Sequence, residues 1–444
     1  MRPFRLTILL VVFATGCQMM EDPFELSPNQ ELNQLIEAAG GKAAFTLPAS
    51  DDFAAIPQDP KNPLTAEKVR LGQLLFHETG IGLGAITEGG LNTFSCASCH
   101  FAGAGFQAGR MQGIGEGGSG FGFNGERREA TVGLLPEDLD VQPIRTPAAL
   151  NVAYQEVMLW NGQFGGTGMN EGTEANWTAD TPKEKNWLGF QGVETQALAG
   201  LGVHRLKINE DIVDTLGYRL LFDAAFPHIP PGSRYELLPA ALAIAAYERT
   251  LLASEAPFQK WLKGNPNALT QNELEGAILF FGKADCVSCH TGPALNSMAF
   301  HAQGMADLVD CPESTFLTRV DNVENRGRGG FTGNTEDDYK FKVPQLYSLK
   351  RSPFYGHGSS FRSLSDVVAY KNLAVPENSR VPISQLSTSF QPLGLTDTEI
   401  DALTAFLTDG LDDSRLRRFE PNALPSGQCF PNHDEESRSD LGCD

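Results

Sequence analysis

Three things are scarce in this 444-residue chain: long apolar runs, basic side chains, and the apolar–polar alternation of half-buried strands. After about the first fifteen residues no apolar stretch is long enough to span a bilayer, which excludes a bundle of membrane helices. Only 34 Lys and Arg stand against 55 Asp and Glu, so phosphate backbones are poor partners and nucleic acid is excluded. Such a surface suits a small basic protein as partner, and equally serves plain solubility. Scarce alternation leaves a mainly α reading. The hydrophobic share of 41% is enough for large cores, and the length fits two domains.

What is there begins with a targeting segment. Arg2 and Arg5 precede a short apolar core, Leu6 to Phe13, and then Ala14-Thr15-Gly16-Cys17. A positive start, a short apolar core and a small-residue site describe a secretory signal. The cysteine directly after the small residues resembles a bacterial lipoprotein signal, with Cys17 acylated as the new N-terminus, and Gln18 after it fits the outer membrane. Residues 1–16 hold two basic and no acidic side chains, so the remainder carries 32 basic against 55 acidic, a balance of −23.

Eight cysteines are present. Four fall in Cys96-Ala97-Ser98-Cys99-His100 and Cys286-Val287-Ser288-Cys289-His290. Two thiols three positions apart on one turn reach both vinyl groups of a porphyrin, and the adjacent His becomes the proximal iron ligand. A thioredoxin-like pair or half a zinc site needs no His directly after the second Cys. Two covalent haem c groups are therefore expected. Cys311, Cys429 and Cys443 remain. Export permits a disulfide, and the short loop between Cys429 and Cys443 favours that pair, although spacing leaves the other pairings open.

The prolines and polar residues of 17–62 suit a tether. Helical spacing marks Thr65–Glu78, Asn209–Phe226, Leu237–Leu252, Leu269–Phe281, Leu364–Tyr370 and Thr396–Leu407, the last with a Thr396–Glu399 capping box. Glycine-rich 101–128 reads as a loop packed on a haem face, and 161–189 as an inserted surface loop. A helix precedes each haem motif, which suggests an internal duplication. The expected organisation is a signal at 1–16, a tether after lipidated Cys17 at 17–62, and two cytochrome c-like haem domains with long loops at 63–255 and 256–444.

Several segments carry a wider likeness. They are Asn62-Pro63-Leu64-Thr65 with Val69 to Phe76, Arg145-Thr146-Pro147 with Asn151, Trp160-Asn161-Gly162, Ala245 to Leu251, Phe341 to Pro344, Gly356-His357, and Pro392 to Thr396. Together with the two motifs, and in this order, they resemble the bacterial di-haem cytochrome c peroxidase family, which includes the methylamine-utilisation di-haem enzyme. The resemblance implies a periplasmic oxidoreductase that reduces hydrogen peroxide at the N-terminal haem. Electrons from a small cytochrome c or cupredoxin would enter at the C-terminal haem, and Trp160 would relay them. It equally admits a long-range oxidase of a partner protein or small substrate, and a non-catalytic electron carrier stays open.

The departures from the family pattern concern the iron faces. The distal His expected sixteen residues after His100 is Glu116, a candidate iron ligand or peroxide acid. The Gln–Glu pair expected ten residues apart falls on Gln196 and Leu206, which leaves His204 as the nearest acid–base candidate. Fourteen residues after His357 the sixth ligand of the second haem falls on Lys371, with Tyr370 beside it and Met298 and Met305 in reserve. His357 is expected near a haem propionate or in the interdomain contact. An Asn of the family's calcium site aligns with Arg145, which puts calcium in doubt.

Overall fold

The computed structural model describes residues 26–443, so the signal and Cys17 lie outside the described residues. The helices that position the sites are α1 (Pro28–Ala38), α2 (Ala66–His77), α3 (Gly192–Val203), α4 (Leu237–Arg249), α5 (Gln271–Phe281), α6 (Leu364–Leu373) and α7 (Asp397–Ala405). Strand among the described residues is confined to two short antiparallel pairs. One joins β1 (Gly118–Ser119) to β2 (Glu129–Ala130), the other β3 (Phe300–His301) to β4 (Phe341–Lys342). None of the described helices is long and apolar enough to cross a membrane.

Local signals set the helix ends. Thr65 caps α2 by accepting the Lys68 N–H at 3.2 Å, and Thr396 with Glu399 forms the capping box of α7. The helix expected over Asn209–Phe226 is instead two short ones, Glu210–Thr215 and Arg219–Ala225. Gly217, at φ +79°, breaks it by turning the chain through the left-handed region.

The two motif segments are built alike. Each is delivered by a helix that crosses a partner at a glycine, α2 on α4 and α5 on α7. A Cβ on Gly72 would lie 1.8 Å from the Ala243 carbonyl oxygen, and one on Gly276 2.0 Å from that of Ala402. Only glycine permits such close backbone approach. Helix α4 is buried from Pro239 to Arg249 and sits at the centre of an apolar cluster running from Leu32 to Leu424.

The expected tether needs correction from Pro28 onward. Helix α1 packs on α5 and buries Leu32 and Ile36 completely. Phe45 meets Phe281 edge to face at 5.1 Å, and the Gln259 side chain bonds the Phe45 carbonyl and the Leu47 N–H, each at 2.8 Å. Pro28 sits in the first turn, where a missing N–H costs nothing, so proline here starts a helix and does not prevent one.

The other end of the chain crosses the opposite way. The Tyr247 hydroxyl and the Gln73 amide both donate to the Phe419 carbonyl, at 2.9 and 2.8 Å. The hydroxyls of Ser95 and Ser98, beside the first motif, donate to the Pro431 carbonyl at 3.0 and 3.2 Å. Cys429 and Cys443 form a disulfide that closes this strap, and Cys311 is free. Residues 28–47 thus pack on the second motif's helix, and residues 419–434 pack on the first motif.

Candidate haem sites

Each C-x-x-C-H segment is a tight turn in which the His N–H bonds the first Cys carbonyl, at 3.1 Å for His100 and 2.9 Å for His290. The four motif cysteines form no disulfide. Burial pushes the Cys99 and Cys286 thiols up to about 12. Nδ1 of His100 lies 3.2 Å from the Phe106 carbonyl, and Nδ1 of His290 lies 3.1 Å from the carbonyls of both Leu295 and Pro344. A carbonyl only accepts, so Nδ1 carries the proton and Nε2 keeps its lone pair for a metal. Burial holds both imidazoles down to about 4, hence neutral as a ligand must be. A cavity of about 500 Å³ opens on Cys286, Cys289 and His290. Among the described residues no three or more His, Cys, Asp or Glu are placed to hold an ion, so a zinc site is not built. The residues fit covalent haem.

The glycine-rich loop packs on the first motif. A Cβ on Gly113 would lie 2.8 Å from Cys99 Sγ. Glu116 follows, and here the structure corrects an expectation. Its carboxylate is fully buried, pairs with Arg205 at 2.5 Å, and accepts the Thr87 N–H at 2.9 Å and the Thr87 hydroxyl at 3.2 Å. Both oxygens are engaged within the protein, where the expectation had the carboxylate at the iron or the peroxide. It is a brace. Arg205 also donates to the Asp138 carbonyl at 2.8 Å, so the pair holds segment 138–140 against the end of α3.

That brace presents a pair that spacing could not show. His204, at the end of α3, has Nδ1 3.0 Å from the buried Asp140 carboxylate. Burial alone would lower the imidazole, but the Asp140 charge and hydrogen bond outweigh it and hold His204 above its ordinary value. The pair borders the first motif: the His204 charge pushes His100 lower, and the Asp140 charge pushes Cys99 up. Gln196 shares the same face of α3, two turns back. A Cβ on the intervening Gly200 would lie 3.3 Å from Gln196 Nε2 and 3.9 Å from His204 Cδ2. No local signal marks Asp140, which is 64 residues from its partner.

At the second motif the structure separates two neighbours on α6. Tyr370 turns away: its hydroxyl donates to the Gln303 carbonyl at 2.5 Å, and its ring lies between Phe361 and Phe390. It does not line the cavity, whereas the expectation had it as a candidate iron ligand. Lys371 does line it, donates to Gln303 Oε1 at 2.6 Å, and is pulled down to about 8 by burial. Met305 lines the cavity and Met298 does not. Nε2 of His357 is committed to Asp307 at 3.0 Å, and its ring stacks on Phe341 at 3.6 Å. Trp160 stands edge-on to that imidazole at 6.4 Å and donates Nε1–H to the Arg145 carbonyl at 2.8 Å.

A family model described as di-haem cytochrome c peroxidase matches residues 66–267. Over these residues the chain carries the pattern of that family. Among its relatives, the methylamine utilization protein MauG of Methylorubrum extorquens is 28% identical over 372 residues, 84% of either chain. The cytochrome-c peroxidase IdrP1 of Denitromonas iodatirespirans is 26% identical, over 83% of this chain and 88% of its own. In three dimensions the chain is similar to a MauG-like protein associated with microbial copper homeostasis (TM-score 0.55, 21% identity, 83% of this chain and 95% of that one). It is also similar to the diheme peroxidase BthA of Burkholderia thailandensis (TM-score 0.51, 17% identity, 82% and 90%). These likenesses show the fold. At the positions where the family pattern expects a distal His and a Glu, this chain has Glu116, paired with Arg205, and the buried Leu206, and nearby His204 carries an Asp partner.

Proposed function

We propose that this di-haem oxidoreductase reduces hydrogen peroxide to water at the haem on Cys96, Cys99 and His100. Electrons from a small redox protein would enter through the haem on Cys286, Cys289 and His290. Bound haem would supply the iron that takes up the peroxide and the electrons, and the balance is H2O2 with two electrons and two protons giving two waters. The chain supplies the proton handling. His204 would carry a proton from one peroxide oxygen to the other through Nε2, while Asp140 accepts Nδ1–H and steadies the imidazolium. Gln196 donates an amide hydrogen bond to the same peroxide. The observation that carries this reading is the Asp140–His204 pair bordering the first motif.

The second site takes the other role. Lys371 faces its cavity and would be the side chain offered to that haem's iron, which would suit a haem that passes electrons. Trp160, on the wall of the same cavity, is the relay toward the first haem. Each haem belongs to one cytochrome c-like domain, and each domain borrows a segment from the far end of the chain. Arg145 fills the place of a calcium-site residue, and calcium is left out of the mechanism. The acylated Cys17 would hold the protein at the outer membrane, facing the periplasm.

Spectroscopy of the ferric holoprotein tests the reading. One high-spin haem that binds cyanide, and turnover of peroxide with a reduced cytochrome without prior reduction, are expected. Two low-spin haems that bind neither cyanide nor peroxide would make the protein an electron carrier. Oxidation of a partner protein in preference to the reduced cytochrome would favour the long-range oxidase, the reading that likeness to MauG supports.

A further inference from the structure

Two buried cations on the wall of the second cavity have no carboxylate. Arg145 is 2% exposed, and its guanidinium donates only to neutral acceptors: Gln107 Oε1 at 2.8 Å, Ser352 Oγ at 2.9 Å and the Arg110 carbonyl at 3.2 Å. Lys342 is 6% exposed, and its ammonium donates to the Val157 carbonyl at 2.5 Å and to Gln155 Oε1. Neither takes part in an ion pair among the described residues, in a chain with 55 acidic side chains to choose from. Of the other buried basic groups, Arg249 pairs with Glu194 at 2.6 Å and Arg128 with Asp434 at 3.2 Å, while Arg328, away from this cavity, donates to the carbonyls of Asn161, Gly162 and Met169. Burial drags the Lys342 ammonium down to about 7 and the Arg145 guanidinium to about 9, so the protein alone holds these charges poorly.

The backbones of both residues are tied to Trp160, which lies between them. Trp160 donates Nε1–H to the Arg145 carbonyl at 2.8 Å, and its own carbonyl accepts the Lys342 N–H at 2.8 Å. All three line the cavity that holds Cys286, Cys289 and His290. A buried cation without a counter-charge calls for an anion from outside the chain. A haem brings two carboxylates on one edge, opposite the vinyl groups that the cysteines capture.

We propose that Arg145 and Lys342 receive the two propionates of the haem on Cys286 and Cys289, fixing its carboxylate edge beside Trp160. The proposal rests on the di-haem reading above. It makes Arg145 and Lys342 positioning residues for the inter-haem relay. Gln107, six residues beyond Phe101, and Ser352, from the second half, are joined through Arg145, so the anion also closes the contact between the halves.

The test uses purified holoprotein carrying R145Q, K342Q, both together, and the conservative R145K and K342R. Haem content is measured first, then the midpoint potential of each haem, resolved by spin state, and the propionate bending band in resonance Raman. A cation beside a haem favours the reduced form, so each Gln variant should lower the potential of the second haem and shift its propionate band. R145K and K342R should restore most of both. An unchanged potential and band in the double variant with two haems attached would overturn the proposal, as would a shift confined to the first haem. If R145Q fails to accumulate, K342Q and R145K carry the same readouts. A wild-type protein holding fewer than two haems would instead defeat the di-haem reading itself.

Discussion

His204 and Asp140 are 64 residues apart in the chain, yet His204 Nδ1 lies 3.0 Å from the Asp140 carboxylate, beside the first haem motif. Replacing His204 by Ala should lower peroxide turnover by roughly 10²–10⁴-fold, the usual contribution of a placed acid–base group. Steady-state kinetics with a reduced cytochrome measures it. Unchanged turnover would remove His204 from the mechanism.

Asp140→Asn should cost about 10–100-fold, because this carboxylate holds Nδ1–H of His204 and orients the ring, and should move the pH profile. Asp140 holds His204 above its ordinary value, and a general base works only when neutral. Losing Asp140 lowers the His204 pKa, so the acid limb of the kcat profile moves to lower pH. For folding the sign is opposite in use. The pair's stabilisation is fully present below the unfolded value of 6.5 and is lost as pH rises through the raised folded value.

Glu116 is braced by Arg205 and Thr87, so Glu116→Ala should destabilise the fold by about 3 kcal/mol through an unpaired, partly buried Arg205. Glu116→His should leave the resting spin state of the first haem unchanged, because this side chain points at the brace. Denaturant unfolding and electron paramagnetic resonance read the two effects. A new low-spin species in the His variant would show that position 116 reaches the iron.

Lys371→Ala should convert the second haem toward high spin, whereas Tyr370→Phe should not, since the tyrosine hydroxyl is spent on Gln303. Near-infrared magnetic circular dichroism distinguishes the ligand sets. The reverse pattern would reassign the ligand to Tyr370.

Gly72→Ala and Gly276→Ala each drive a methyl into a helix carbonyl, at 1.8 and 2.0 Å before relaxation. Each should destabilise by about 1–3 kcal/mol or more, with a lower Tm by calorimetry. Equal effects at the two sites would support the internal duplication.

Much of the chemistry was legible because it is local. A C-x-x-C-H motif is five consecutive residues on one turn, and its His finds a carbonyl within six residues in both halves. Helix caps such as Thr65–Lys68 and Thr396–Glu399 span a single turn, so their residue types announce them. The Cys429–Cys443 bridge, 14 residues apart, was the favoured pairing for the same reason.

The rest was decided in three dimensions. The proline-bearing stretch from Pro28 became a docked helix because α5 offered a partner for Leu32 and Ile36, a fact about a surface more than 200 residues away. Register alone could not separate Tyr370 from Lys371, since adjacent helical residues differ by about 100° in direction and only packing says which one meets the cavity. Glu116 fell at the spacing of an iron ligand, but its charge was claimed by Arg205, 89 residues on. The sequence by itself determined that two haems can be attached and where. Which side chains face them, and with what charge, was set by long-range packing, because a buried ionisable group takes its role from whichever distant partner the fold brings to it.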